Sequence, residues 1–406
     1  MSKAGYFSGG KLKMWTFYSL VTEAFFVALS PGLAVSALAV GLIFLLIRTR
    51  YDEEFSFRRT KFDTVILIFA VCSMISIMVS PDKFFSAYNF LNTGLLYILS
   101  YELFIQSVDE EKQIHTVMKA LAAGAVIVVL YGYYQYFFGI DISNIKWVDA
   151  EAFPELKKRV FSTWQNPNIL AGYLDEAICI VLGFFIYAEN RKQKLLCFVG
   201  MVLLAGCLAM TYARGACLAA AIVIAGYGAI KDRRIFLGCI VVGALIIAFN
   251  PALAERLMSV FTKMDTSSEM RLALWESSVA MIEEHPLFGI GWGAYWMVYH
   301  SYDFYINDPR VLIVHAHNIY LNYAAEIGLV GAFSFFGFFF GNLYNMLKKC
   351  HAPVSLFLKG LRLGIGLALV TVALGGMTDD VLFNIPTSIL LWITCAIAVK
   401  TDELSK

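Results

Sequence analysis

The chain has 406 residues, of which 59% are hydrophobic and only 16% charged, with a mean hydropathy of +0.68. A soluble domain carries about a quarter of its residues as Asp, Glu, Lys and Arg, so this composition excludes an ordinary soluble enzyme and fits a chain largely immersed in lipid. The formal net charge of +1 gives no indication of a polyanionic partner, and no nucleic acid is expected.

Lys3, Lys11 and Lys13 precede an apolar run ending in Ala28-Leu29-Ser30, which has the form of a secretory signal with a small-x-small site. The plainer expectation is an uncleaved first membrane helix. It would hairpin about Ser30-Pro31-Gly32 with the run from Leu33 to Ile47. Apolar runs bounded by charge predict about twelve membrane helices in all. Their spans are 14–30, 32–47, 62–79, 84–106, 115–138, 167–188, 195–212, 215–230, 235–250, 317–347, 360–377 and 384–400. A crossing needs about 20 apolar residues, so the shorter and longer runs imply tilt or re-entrance.

Lys and Arg fall in alternate connectors. They are Arg48, Arg50, Arg58, Arg59 and Lys61, then Lys112, then Arg191, Lys192 and Lys194. The series continues with Lys231, Arg233 and Arg234, then Lys348, Lys349 and Lys359. By the positive-inside rule these connectors and both termini are cytoplasmic. The whole chain, 1–406, reads as one membrane domain. Its eight cysteines have no metal-ligand spacing and are absent from the long polar loops, so they read as small core hydrophobes.

Two segments on the opposite, extracytoplasmic side are long, from about Gly139 to Gln165 and from about Asn250 to Ala316. Loops of this length are usually functional. In the first, Asn166 is expected to cap the next helix, with Pro167 in its first turn. The second, 250–316, is expected to be a subdomain lying over the outer surface as a lid. There Thr266-Ser267-Ser268-Glu269 has the capping-box form and predicts a helix to about Glu284, stopped by His285-Pro286. Trp275, Trp292, Tyr295, Trp296 and Tyr299 suit either the membrane interface or stacking on sugar faces. The alternating glycines of Gly289-Ile290-Gly291-Trp292-Gly293 do not follow a strand, so a turn is expected rather than a nucleotide loop.

Four of the six histidines, His285, His300, His315 and His317, fall in or at the end of this second loop. His317-Asn318 stands where the chain re-enters the membrane, and Gly328 and Gly331 follow at a spacing that permits close helix packing. A histidine so placed suits a general base near neutral pH, or an interface residue with ordinary hydrogen bonds. Arg214, at an outer turn between apolar helices, must snorkel, pair or bind an anion such as a phosphate. Arg271 lies one turn before Trp275 and is either a substrate clamp or part of a solvated helix face. Glu23, Glu102, Asp175, Glu176 and Glu326 lie within apolar runs, and Asp379-Asp380 sits at an outer turn; no pairing among them can be chosen from the sequence.

Taken together, Arg214-x3-Leu218 and His317-Asn318-x9-Gly328-x2-Gly331 resemble the paired signature of the bacterial O-antigen ligase family. The stretch Glu284 to Gly291, Arg271 ahead of Trp275, and Asn166-Pro167-Asn168 are similar to further segments of that family. The resemblance runs from about Arg159 to Gly331. It implies an all-α, polytopic, GT-C-like membrane glycosyltransferase of lipopolysaccharide biosynthesis, in the bacterial inner membrane with its active site on the periplasmic face. The donor would be a glycan on undecaprenyl diphosphate and the acceptor a hydroxyl of lipid A–core or a similar glycan, joined with inversion and without metal or cofactor. Arg214 and Arg271 would bind the diphosphate and His317 would activate the acceptor. His315, Asn318, Arg159 and Asp379 are expected to support them or bind the acceptor. Two alternatives remain: an O-antigen or capsule repeat-unit polymerase and, less in keeping with a late external loop, a transporter or flippase.

Overall fold

The computed structural model describes residues 9–139, 159–249, 266–303, 313–350 and 352–406, and all regular structure among them is helical. In chain order, α1 (Gly9–Phe26) and α2 (Pro31–Tyr51) form the expected hairpin, with Ser30 capping α2. Next come α3 (Asp63–Val79) and α4 (Lys83–Phe90), which runs through a π turn (Leu91–Leu95) into α5 (Leu96–Ser107). Then follow α6 (Glu111–Phe138), α7 (Pro167–Ile186), α8 (Arg191–Met210), α9 (Arg214–Lys231) and α10 (Arg233–Phe249). Beyond these are α11 (Thr266–Glu284), the short α12 (Tyr295–Val298), α13 (Ile319–Leu347), α14 (Leu356–Gly375) and α15 (Ile385–Glu403).

Each apolar run read from the sequence lies in helix. Among the described residues, eight helices are long and apolar enough to cross a membrane: α2, α6, α7, α8, α9, α13, α14 and α15. The protein is an all-α, polytopic membrane protein. Its outer surface carries exposed apolar side chains such as Leu46, Leu67, Leu130, Leu196 and Phe333. Such a surface would drive aggregation in water and is the natural boundary in lipid. Two of the carboxyl groups in the apolar runs find partners: Glu23 accepts a hydrogen bond from Ser100 at 2.6 Å, and Glu102 one from Gln106 at 3.3 Å.

The innermost helix is α15, buried almost throughout from Thr387 to Asp402. Beside it α7 and α14 cross closely, because a Cβ at Gly183 would collide with the backbone of Gly360 and Gly364. Such small-residue crossings let backbones approach where lipid offers no hydrophobic drive. The crossing fixes the start of α7 relative to the end of α14, and both ends carry site residues.

The basic connectors gather at one end of the bundle. Asp402 takes Lys61 and Lys348 at 3.0 Å and Arg362 at 3.5 Å, while Asp109 takes Lys13 and Arg58. The other end holds the starts of α7, α9, α13 and α15 with the finishes of α8 and α14. There the Ile319 amide donates to the Gly376 carbonyl at 2.8 Å and the Val160 amide to the Met210 carbonyl at 3.0 Å.

The second long loop is joined to this end by a main-chain seam. The predicted helix forms as α11 over Thr266–Glu284; the cap side chains at 266–268 lie outside what is described, as do 140–158, 250–265 and 304–312. After α11 the chain turns at Gly289, Gly291 and Gly293, all with positive φ. α13 is not continuous: Gly328 has φ 72° and ψ 172° and breaks it. The turn fills the break, with Ile290 and Gly291 amides donating to the Ala325 and Glu326 carbonyls at 2.9 and 3.0 Å, and Leu329 to the Pro286 carbonyl at 2.8 Å. The sequence expectation that Gly328 and Gly331 sit one helical turn apart is thus corrected. Gly328 is needed for a left-handed break, and only Gly331 packs in the ordinary way. Tyr295 and Tyr299 are also not surface aromatics. They stack inside a small core with Leu274, Met281, Ile290 and Ala325.

Candidate functional site

The end of the bundle bearing the seam gathers most of the polar residues singled out in the sequence. Asn318 caps α13 through its side-chain oxygen, which accepts from Tyr320 and Leu321, and its amide donates to the Met377 carbonyl at 3.0 Å. The residue before it, His317, has φ 49°. A non-glycine residue held in this region costs roughly 1–3 kcal/mol and persists where its surroundings over-determine it. They do so here. The His317 amide donates to His315 Nδ1 at 3.2 Å, and its ring Nδ1 lies 2.8 Å from Asp379 Oδ1.

Asp379 is the hub. Its Oδ2 accepts from Asn168 Nδ2 at 3.0 Å and its Oδ1 from the Asp380 amide at 2.9 Å. Asn168 Oδ1 in turn accepts from Arg159 at 2.7 Å, and the same guanidinium donates to the Thr211 carbonyl at 2.7 Å. A chain Arg159–Asn168–Asp379–His317 therefore links the approach to α7, its first turn, the end of α14 and the approach to α13. Asn168 can reach because Asn166 caps α7 as predicted, accepting from the Asn168 amide at 2.8 Å, with Pro167 next.

Charge at the site follows from this geometry. Burial pushes the Asp379 carboxyl up, but the hydrogen bond and charge of His317, with the Arg271 charge, outweigh it, holding it below the usual carboxylate range. Asp380 goes the other way. Burial, with the Asp379 charge beside it, pushes its carboxyl up to about 7 against the Leu382 amide and His317. For His315, burial first and then the charges of His317 and Arg271 push the imidazole down to about 3, against the pull of Asp379. His315 is therefore neutral at neutral pH and keeps Nδ1 free to accept from His317.

A pH prediction follows. A histidine depressed on folding contributes stability that is complete above its unfolded pKa of about 6.5 and is lost as pH falls towards its folded value. Thermal melts in detergent should show the wild type losing Tm between pH 6.5 and 4, while His315→Asn, which retains an acceptor but cannot titrate, flattens that slope. Parallel slopes would remove His315 from this account.

The arginines surround the same place. Arg214 opens α9 as its first residue, and the cap residue Ala213 makes no side-chain cap hydrogen bond. A Cβ at Gly215 would lie 3.1 Å from Thr378 Oγ1, so this helix start abuts the Thr378–Asp379 turn. A helix start with an arginine on it is a ready anion site. Arg271, on α11, is half-buried, its charge acts on both His315 and Asp379, and its Nε has no hydrogen-bond partner among the described residues.

His315, His317 and Asp379 also bring ligand atoms within 4.8 Å of one another, close enough to hold one metal ion. No spacing in the sequence suggested this. The surrounding arginine charge opposes a divalent cation, and the His317–Asp379 contact already uses the atoms it would need. An imidazole–carboxylate pair is the better description.

Residues 199–336 match the family model described as O-antigen ligase. The chain contains a domain of the O-antigen ligase family. Comparison with curated proteins and with solved structures finds no match. The ligase domain covers about a third of the 406 residues (336 − 199 + 1 = 138) and includes Arg214, Arg271, His315 and His317. Arg159, Asn168 and Asp379 lie outside the matched ligase stretch and are brought to it by the fold. Asp379 stands at an outer turn and Asn168 within a motif, and contacts over 62 and 211 positions leave no local signal of their partnership.

Proposed function

We propose that this protein is a glycosyltransferase of the O-antigen ligase type, moving a glycan from undecaprenyl diphosphate to an acceptor hydroxyl of lipid A–core or a similar glycan. The observation that carries the proposal is the 2.8 Å contact between His317 Nδ1 and Asp379. With Nδ1–H donated to a half-buried carboxylate, Nε2 keeps its lone pair, and the ring is the base that a hydroxyl nucleophile requires. Asp379 holds the tautomer and stabilises the imidazolium as the proton arrives.

The leaving group is a diphosphate, whose developing charge needs fixed cations in a water-poor site. Arg214 at the start of α9, and Arg271 from the loop, supply them; Arg159 acts through Asn168 to hold Asp379. Direct displacement inverts the anomeric carbon and calls for no metal. In this reading the bundle is a twelve-helix, GT-C-like arrangement, the basic end is cytoplasmic with both termini, and the site faces the periplasm of the inner membrane. Segment 250–316 closes over it as a lid.

The test is transfer by purified protein in nanodiscs, with carrier-linked glycan and lipid A–core, followed by mass spectrometry. The expected product is core-linked glycan with release of undecaprenyl diphosphate. Arg214→Ala should lower turnover by about 10²–10³-fold, the range for removing one preorganised charge-stabilising donor, and Arg214→Lys should recover part of it. Full activity in Arg214→Ala would overturn the arginine assignment, and longer carrier-linked chains without core product would identify a polymerase.

A further inference from the structure

A cavity of about 220 Å³ opens beside the His315–Asp380 edge of the site, and nothing in the proposed chemistry uses it. One wall is a stripe at four-residue spacing, Phe85, Asn89, Thr93 and Tyr97. In a plain α-helix residues four apart drift by about 40° per step, and this stripe would leave the cavity. The π turn at Leu91–Leu95 widens the helix and offsets the drift, as π turns at functional sites do. Thr93 is held there from the loop, accepting from Trp292 Nε1 at 3.0 Å.

Trp296 closes the Phe85 end of the stripe, its ring edge-on to Phe85 at 5.7 Å, and Glu326 and Asp380 also line the cavity. Glu326 is fixed by the Gly293 amide at 3.0 Å. The Tyr97 hydroxyl is buried with no partner at hydrogen-bond distance among the described residues. No Lys or Arg stands in the described wall, although arginines crowd the neighbouring site.

We infer that this cavity is the acceptor saccharide subsite, taking a pyranose unit without phosphate or carboxylate substituents against Trp296 and the Asn89–Thr93 stripe. Aromatic faces suit the apolar face of a sugar ring, and amide, hydroxyl and carboxyl groups suit its hydroxyls. The segregation of charge assigns the occupant. A diphosphate belongs with the arginines, and a wall without a cation offers it no counter-charge. His315 is shared, being part of the cavity wall and the acceptor of the His317 amide, so a sugar seated here presents its hydroxyl beside the base. The choice of acceptor over donor sugar rests on the transfer reaction proposed above.

The experiment uses the full chain in nanodiscs, with carrier-linked glycan as donor and lipid A–core as acceptor. Asn89→Ala should raise the acceptor KM about three- to tenfold, the loss of one or two hydrogen bonds, and Trp296→Ala by about tenfold or more, with donor KM and kcat near wild type. Saturation-transfer NMR with delipidated core oligosaccharide should show contact in the wild type and its loss in Trp296→Ala. Unchanged acceptor KM in both variants, or a rise in donor KM alone, overturns the inference. If the wild type binds the oligosaccharide through Trp296 but transfers nothing, the subsite stands and the transfer reading falls. If it transfers but Trp296→Ala binds the oligosaccharide normally, the subsite falls alone.

Discussion

Asp379→Asn should lower glycan transfer by about 10²–10⁴-fold, the range for disabling a general base, with little change in Tm or donor KM. The substitution preserves shape but reverses the hydrogen bond. An amide nitrogen at this position donates to His317 Nδ1, so the ring proton moves to Nε2 and the base is blocked. The contact to Asn168, made through the other oxygen, is kept by the amide oxygen, and the Asp380 amide, whose acceptor is the replaced Oδ1, loses one hydrogen bond. His317→Ala should fall at least as far, and the double variant no further than the lower single one, because residues acting as a unit are not additive. Asn168→Ala should cost less, since it removes one contact to the carboxylate and leaves the His317–Asp379 pair. An Asp379→Asn enzyme within a few fold of wild type would break the base assignment.

Gly328→Ala should destabilise the protein by about 3 kcal/mol or more, read as lost monodisperse yield and a lowered Tm in detergent. Its φ of 72° and ψ of 172° lie in a region that is essentially glycine-only, at about 1–3 kcal/mol for other residues. Crowding adds to this. A Cβ would collide with the Leu287 carbonyl and would stand 2.6 Å from the Phe288 amide nitrogen, both rigid main chain. Gly337→Ala is the control: it lies on the same helix with nothing within 4 Å and should be neutral or slightly stabilising. Equal behaviour of the two variants would mean that the break is not a structural requirement.

The helices were legible because composition and charge are strong signals in lipid. Runs such as 167–188 and 384–400, bounded by Asn-Pro caps and basic connectors, correspond to α7 and α15 within a few residues. The loop helix was legible from its cap pattern and its Pro286 stop. The break in α13 was not, because glycine spacing alone cannot separate close helix packing from a left-handed turn, and what decides it is the arrival of residues 286–291. The site divides along the same line. Arg214, Arg271 and His317 carry motifs, whereas the polar chain from Arg159 through Asn168 to Asp379 exists only once α7 and α14 have crossed at their glycines. The saccharide cavity depends on a π turn, which has no signature in residue type.

Because the seam is built from amides and carbonyls, the exposed side chains at Leu287 and Phe288 can drift while the number of residues cannot. One inserted residue would shift every donor in the turn past its carbonyl. The seam also dictates an order of assembly. Its two halves are about forty residues apart, so at roughly 5–20 residues per second the glycine turn is synthesised some two to eight seconds before its partner in α13. Until then its amides have only water to bind, and the end of the molecule that carries His317 and Asp379 is completed after the loop rather than with it.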